Sequence, residues 1–429
     1  MCMLIPGIIS TSPVLTKTNL NAKHLLRMHC GVENKISRLS ADAVMDITCA
    51  DTAPDPALKD AHCKFSGMAY TSPGAEPNIT YVNNCGRPMP ILKTLQTSHC
   101  VFNCRYCSFA RDNDRRRDTV SPDEMAMITN DMTEAGKIRG LFLSSGIDGS
   151  VRKTMTRIID TAKILRVKYG YTGYIHLKIM PGSSEDVIEE AGKYADRLSI
   201  NMEAPNDQSL NSIAPNKKIH KSILGQMQLI ETLRRMRRIH PRVGQITQFV
   251  VGGSDDPGEN DRAFLTVAQY LYRELDFRRV YYSAFSPVKG TKLEGREPEN
   301  PMRSHRLYQA DRLMVDYGFT PDELVFDNRG KMSLDIDPKE LWARAHPELY
   351  PVDITTADPQ MILRVPGIGP TLARKILSAR LNGDLRDQED LLKLGRVNRK
   401  CLEWILIGGR MPVMEKKFSR KELQLSLSF

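Results

Sequence analysis

Three cysteines, Cys100, Cys104 and Cys107, stand within eight residues as a CxxxCxxC run. Three thiolates on one short loop can hold three irons of a [4Fe-4S] cluster and leave the fourth iron without a cysteine from the run. Zinc is the competing reading, but a zinc site usually closes with four ligands in paired spacing, and no second pair stands nearby. Cys49, Cys63 and Cys85 precede the run at intervals too wide for a compact ligand set and read as buried or idle thiols; Cys2 and Cys30 receive no role. Nine cysteines, an odd number concentrated in one trio, do not form a disulfide framework and point to a reducing compartment. His99, next to the first cysteine, reads as a packing or supporting residue. Arg111, Arg115, Arg116 and Arg117 follow within ten residues. They are either a solvated helix start or a guanidinium cluster suited to phosphates at a cavity mouth.

A second constellation lies near the other end. Leu363 to Ile376 joins two apolar-periodic segments through Pro366-Gly367-Ile368-Gly369, and this stretch resembles the helix-hairpin-helix motif. Gly367 and Gly369 are expected to adopt φ values closed to other residues and so bring backbone N–H groups close to a phosphate. Pro370 opens the second helix, whose N-terminal dipole favours the same anion, and Arg374 and Lys375 add charge. A shift of 29 residues places Leu392 on Leu363, Arg396 on Gly367 and Ile405 on Ile376. This is a degenerate second copy, expected to pack on the first and to contribute Arg396, Arg399 and Lys400. The same shift sets Cys401 opposite Leu372, a core position. The chain from Gln360 to Phe429 carries +7 of the formal charge of +10, so an acidic partner such as nucleic acid is sought there.

The elements that must position these residues are legible in the apolar pattern. Strand-like runs at Leu92 to Gln96, Gly140 to Leu143, Tyr174 to Ile179, Arg197 to Met202, Gln245 to Val251 and Arg279 to Phe285 alternate with helical stripes such as Met155, Ile158, Ile159, Ala162 and Leu165. Such alternation implies a parallel sheet of βα units, with ligands gathered at the carboxyl ends of the strands. A hydrophobic fraction of 41% over 429 residues is that of a soluble globular chain of two or more domains. The apolar run Met1 to Ile9, broken by Pro6 and Gly7, fits neither a signal peptide nor a membrane span, so a cytoplasmic protein without membrane contact is expected.

The run CxxxCxΦC, with Tyr106 as its aromatic residue, resembles the signature of the radical S-adenosylmethionine (SAM) superfamily. The resemblance implies an α/β fold: a partial (β/α)6 TIM-like barrel of the radical SAM type, here followed by a small all-α helix-hairpin-helix domain. It also implies a [4Fe-4S] cluster and S-adenosylmethionine as cofactors, and a 5′-deoxyadenosyl radical that abstracts hydrogen from substrate. Ser144-Ser145-Gly146 stands where superfamily members carry a GGE-like turn for the methionine amino group. Asn201 and Glu203 match the ribose position, and Gly252 and Gly253 the segment near adenine. Joined to the terminal module, these features resemble the DNA modification/repair radical SAM family. That family implies DNA, a reducing electron donor and a uracil-DNA-glycosylase-like protein as partners. RNA or a small nucleotide as substrate, or a structural or redox-sensing cluster in a DNA-binding protein, are the alternatives. The expected organisation is an N-terminal extension over 1–40, with a helix near Ala41 to Ile47 following it, and the radical SAM domain over 41–327. A linker with a connecting helix (328–354), tandem helix-hairpin-helix units (355–412) and a basic tail (413–429) complete it.

Overall fold

The computed structural model of the chain describes residues 32–41, 43, 79–84, 87–395, 397 and 399–412. Cys2, Cys30, Cys49, Cys63 and Cys85, Arg396 and the basic tail lie outside them, as do residues 44–47 of the expected early helix. Residues 32–41 are helical (α1), earlier than the sequence suggested. The spacing of Val32, Ile36 and Leu39, with Ala43 following, explains this placement, because all four are buried in the main core.

Seven strands follow one another in space as they do in the chain. They are β1 (Ile79–Asn84), β2 (Arg87–Leu95), β3 (Gly140–Ser144), β4 (Tyr174–Lys178), β5 (Arg197–Ser199), β6 (Gly244–Val251) and β7 (Phe277–Ala284). β1 pairs antiparallel with β2, and every later neighbour is parallel. Sequential parallel order is the result of βα units wound in one sense, and the sheet curls into the expected partial barrel. The loop after β7 meets the loop after β2, where Leu293 N donates to Arg105 O at 3.1 Å. β3 and β6 are buried along their whole length, as strands covered on both faces must be.

β1 and the first half of β2 are additions to the expected six strands. Pro88 and Pro90 argue against a strand there, yet both lie ahead of Leu92, where pairing with β3 starts. Their missing N–H groups therefore cost the parallel ladder nothing. β5 is shorter than expected, because the chain leaves the sheet at Ser199 and touches it again through Thr247, which bonds Ile200 O and Met202 N, and through a bridge between Glu203 and Phe249.

Helices α2 (Pro122–Glu134), α3 (Val151–Lys163), α4 (Glu185–Tyr194), α5 (Asp207–Ile213), α6 (Gly225–Arg235), α7 (Asp261–Leu275) and α8 (Pro301–Tyr317) cover the sheet. The stripe Met155, Ile158, Ile159, Ala162 and Leu165 is buried as its spacing requires. α2 starts on a capping box between Ser121 and Glu124.

α9 (Pro338–Ala345), β8 (Val352–Asp353), α10 (Pro359–Arg364), α11 (Pro370–Asn382), α12 (Gln388–Lys393) and β9 (Ile405–Leu406) complete the chain. The segment from β8 to β9 has its own core around Ile362, Val365, Ile376, Leu391 and Cys401. It was expected to be all helical, but β8 and β9 form a short parallel pair. This module rests on the C-terminal end of α8. Lys339 Nζ, 4.4 Å from the centre of the Tyr317 ring, donates to Ile368 O at 2.6 Å, and Arg364 bonds Glu323 at 2.6 Å while lying over Phe319. The first turn of α8 sits at the strand ends, where Arg303 bonds Asp261 and Glu259 O. Its 17 residues span about 25 Å, so the module lies toward the amino ends of the strands.

Candidate functional site

At the carboxyl ends of the strands a cavity with about 1080 Å³ of space, part of it open to solvent, collects residues from six strand ends and the cysteine loop. Cys100, Cys104 and Cys107 all line it. Cys104 is buried and the other two are half-buried. Burial pushes the Cys104 thiol up to about 11, against the opposing charge of Lys217. Metal ligation requires the thiolate, so a metal has to displace that proton. Among the described residues no three His, Cys, Asp or Glu side chains are grouped to share one ion. A cubane cluster asks instead for one thiolate per iron, and three thiols spread along one wall of a cavity fit that demand.

The cysteine loop is held from two sides. From β3, Gly146 N donates to Thr97 O at 2.7 Å, and Val101 N donates to Ile147 O at 2.9 Å. The approach is so close that a Cβ on Gly146 would lie 2.2 Å from His99 O. From the far end of the loop, Arg117 donates to the carbonyls of Ser98, Phe109, Ala110 and Asn113 at 2.7 to 3.0 Å. One guanidinium thus ties the entry of the loop to its exit, and its neighbour Asp118 is pinned by Arg38 of α1 at 2.8 and 3.0 Å. The four arginines after the cysteines therefore do not act together. Arg111 pairs with exposed Asp112, Arg115 lies over the Phe109 ring, and Arg116 reaches Asp118 at 3.7 Å. Arg117, read from sequence as a surface charge, is a clamp. His99 is exposed, and its carbonyl packs on Gly146.

Opposite the thiols, Glu203 is 1% exposed and adopts φ +67, a conformation that few side-chain-bearing residues take. Two backbone bonds to β6 hold it there: Glu203 N to Gln248 O at 2.9 Å, and Val250 N to Glu203 O at 2.8 Å. One carboxylate oxygen takes an ion pair from Lys217 Nζ at 2.7 Å. Burial works against the Lys217 charge, but the adjacent Glu203 carboxylate overrides it and keeps the ammonium protonated. The other oxygen, Oε2, has no partner, nor do Asn201 Oδ1 and Gln248 Oε1; all three residues line the cavity. Tyr106, Ser145 and Gly146 also line it, with Ser145 Oγ donating to Gly146 O at 2.7 Å. Ser144 is buried beside it, its carbonyl accepting from Gln96 N.

Gly252 and Gly253 face other neighbours. Gly252, at φ +81, donates its N–H to Glu259 at 2.6 Å and packs on Glu299, and Gly253 packs on Val250 and Ile213. Both border depressions beside the main cavity. Sequence reasoning missed Lys217, Gln248 and the clamp role of Arg117, because each acts through a tertiary neighbour that no local pattern announces.

In the terminal module Gly367 is exposed with φ +83, as expected, whereas Gly369 has φ −95 and is an ordinary helix N-cap. Only one of the two glycines is needed for its φ. Arg374 is exposed and reaches Pro370 O at 3.4 Å, and Lys375 donates to Leu394 O at 2.5 Å. Lys400 is exposed, while the side chain of Arg399 lies outside the described residues. Cys401 is buried in the module core, as its place in the repeat implied.

Residues 95–271 match the radical SAM superfamily, and residues 350–405 match the helix-hairpin-helix motif. No curated protein matches the sequence. Among solved structures, the chain is similar to methylornithine synthase (PylB), at 14% identity and a TM-score of 0.41 over 52% of this chain and 60% of that one. It is also similar to the FeFe-hydrogenase maturase HydG from Carboxydothermus hydrogenoformans, at 16% identity and a TM-score of 0.39 over 70% and 79%. A radical SAM methyltransferase from Sphaerobacter thermophilus shows 16% identity and a TM-score of 0.39 over 55% and 66%. The chain carries a radical SAM domain and is an enzyme. Its cofactors are a [4Fe-4S] cluster and S-adenosylmethionine. No helix among the described residues is long and apolar enough to cross a membrane.

Proposed function

We propose that this enzyme abstracts hydrogen from a nucleotide in DNA, in a modification or repair reaction, with Cys100, Cys104 and Cys107 each holding one iron of the cluster. The observation that carries this reading is the meeting of three thiols and three buried, unpartnered oxygens in one cavity. Bound together, the cluster and S-adenosylmethionine supply a 5′-deoxyadenosyl radical. The chain binds, orients and shields. Asn201 and Glu203 accept hydrogen bonds from ribose hydroxyls, and Ser145 and Gly146 offer backbone and hydroxyl oxygens to the methionine amino group. Tyr106 walls the site, and Gly252 and Gly253 act only through the strand end they terminate, beside adenine.

The DNA part of the reading rests on the helix-hairpin-helix match and the local excess of positive charge. The N–H groups around Gly367, with Arg374, grip phosphate rather than base edges, so binding is weakly sequence-dependent and strongly salt-dependent. A duplex nucleotide has to leave the stack to enter the cavity. An electron donor and a uracil-DNA-glycosylase-like partner belong to the same proposal, and the protein is placed in the cytoplasm.

The test is 5′-deoxyadenosine formation by anaerobically reconstituted, chemically reduced protein, with and without duplex DNA or RNA, against Cys104→Ala. Product from wild type alone, raised severalfold by DNA and less by RNA, is expected. An intact, reduced cluster that gives no product would replace this reading with a structural or sensing role.

The clamp makes a separate prediction. Arg117→Ala loses four bonds to loop carbonyls, each worth about 1 kcal/mol net, and should bind less than half the wild-type iron. Arg116→Ala should bind a full complement. Equal iron in both variants would remove Arg117 from cluster assembly.

A further inference from the structure

We propose that Gln248 reads the substrate, as a fixed acceptor for an N–H donor on the nucleobase that enters the cavity. The inference rests on the nucleic-acid reading above and adds to it a residue and a chemical demand. Gln248 lies on β6 and is only 3% exposed. Its Nε2 donates to Ser283 Oγ on neighbouring β7 at 2.9 Å, which fixes the amide plane, and the residue lines the cavity. That oxygen is buried and has no partner. Leaving a buried acceptor unsatisfied costs about 1 to 3 kcal/mol, a cost retained where a ligand supplies the missing donor.

Gln248 borders a residue assigned to the cofactor, its carbonyl accepting from Glu203 N at 2.9 Å, but its side chain turns to β7, where it meets Ser283. It precedes Val250 by two residues on the strand, one pleat or about 7 Å further toward the barrel floor. The cysteine loop and the β3 turn lie at the opposite, open end of the strands. A group that touches Gln248 Oε1 therefore sits against β6 and β7. The amide nitrogen gives one of its two N–H groups to Ser283, and the oxygen is the acceptor of the side chain that has no partner. A ring N–H or an exocyclic amine satisfies it; an N-methylated edge does not. Sites built around such a bond reject partners that lack the donor far more strongly than apolar pockets reject a missing methylene.

The test compares cluster-loaded wild type with Gln248→Met, which keeps the bulk without a comparable acceptor, and with Gln248→Glu, which keeps an acceptor. The probes are S-adenosylmethionine, the four 2′-deoxynucleosides and 3-methylthymidine, with affinities read by equilibrium dialysis. For at least one nucleoside, Gln248→Met should bind at least tenfold more weakly while S-adenosylmethionine affinity stays within twofold. Gln248→Glu should retain most of the nucleoside affinity, and 3-methylthymidine should bind wild type no better than Gln248→Met binds thymidine. A matching fall in S-adenosylmethionine affinity would make Gln248 a cofactor contact and overturn the proposal. Unchanged nucleoside affinity, or a wild type that binds none of the four, overturns it too. DNA-raised 5′-deoxyadenosine formation in wild type tells the two failures apart: if it persists, only the role of Gln248 falls, and if it is absent, the nucleic-acid reading falls with it.

Discussion

Gly146→Ala is expected to leave the protein folded and nearly free of iron. The added Cβ would lie 2.2 Å from the His99 carbonyl oxygen, 2.8 Å from its carbon and 3.2 Å from the Cys100 Cβ. The two closest atoms are backbone, so no flexible side chain can swing aside. The cysteine loop itself has to move, and with it the bonds from Gly146 N to Thr97 O and from Val101 N to Ile147 O. Displacing a ligand loop by an ångström is enough to spoil a constellation that must be preorganised. The barrel beneath is untouched, and the melting temperature of the iron-free protein should stay within a few degrees of wild type. Iron and sulfide per chain after reconstitution should fall about tenfold; a wild-type complement would show that the loop accommodates the methyl group.

Glu203→Gln is expected to destabilise the fold by about 3 to 5 kcal/mol, the usual cost of stranding one partner of a buried ion pair. Lys217 has only 11% of its side chain exposed and would keep its charge without a carboxylate at 2.7 Å. Adding Lys217→Met removes the stranded charge and should restore most of the loss in denaturant unfolding. The double variant separates two roles that the single one confounds. If Glu203 serves only the fold, the rescued protein binds S-adenosylmethionine as wild type does. If its unpartnered oxygen serves the ribose as proposed, stability returns while cofactor affinity stays below wild type, since the amide keeps one acceptor oxygen where the carboxylate had two.

The cysteine trio was legible because its chemistry lies in spacing along the chain. The ends of β3 and β6 were legible because apolar runs stop at Ser144 and Gly252, whereas the run Arg197 to Met202 continues past the end of β5 at Ser199. What escaped was decided across the chain. Arg117 looks like one of four arginines on a solvated turn until the carbonyls of Ser98 and Asn113 are brought around it. Lys217 follows Glu203 by 14 residues, in a loop without periodicity. Gly146 was singled out for its place in a cofactor turn, whereas its tightest constraint is the backbone of His99 pressed against it. Gly369 was credited with a special φ that only Gly367 uses. Pro88 and Pro90 hid half of β2, since only the fold shows that the parallel pairing with β3 starts beyond them, at Leu92.

The seating of the terminal module at the lower end of α8 has a consequence for the geometry of any duplex held as proposed. A helix of 17 residues separates hairpin from cavity by about 25 Å, which is about seven base pairs at 3.4 Å each. The nucleotide offered to the radical is then not the one being gripped. The module works as a stop on a ruler, setting an offset between anchorage and chemistry, and an oligonucleotide shorter than that offset can occupy either end of the enzyme but cannot bridge the two.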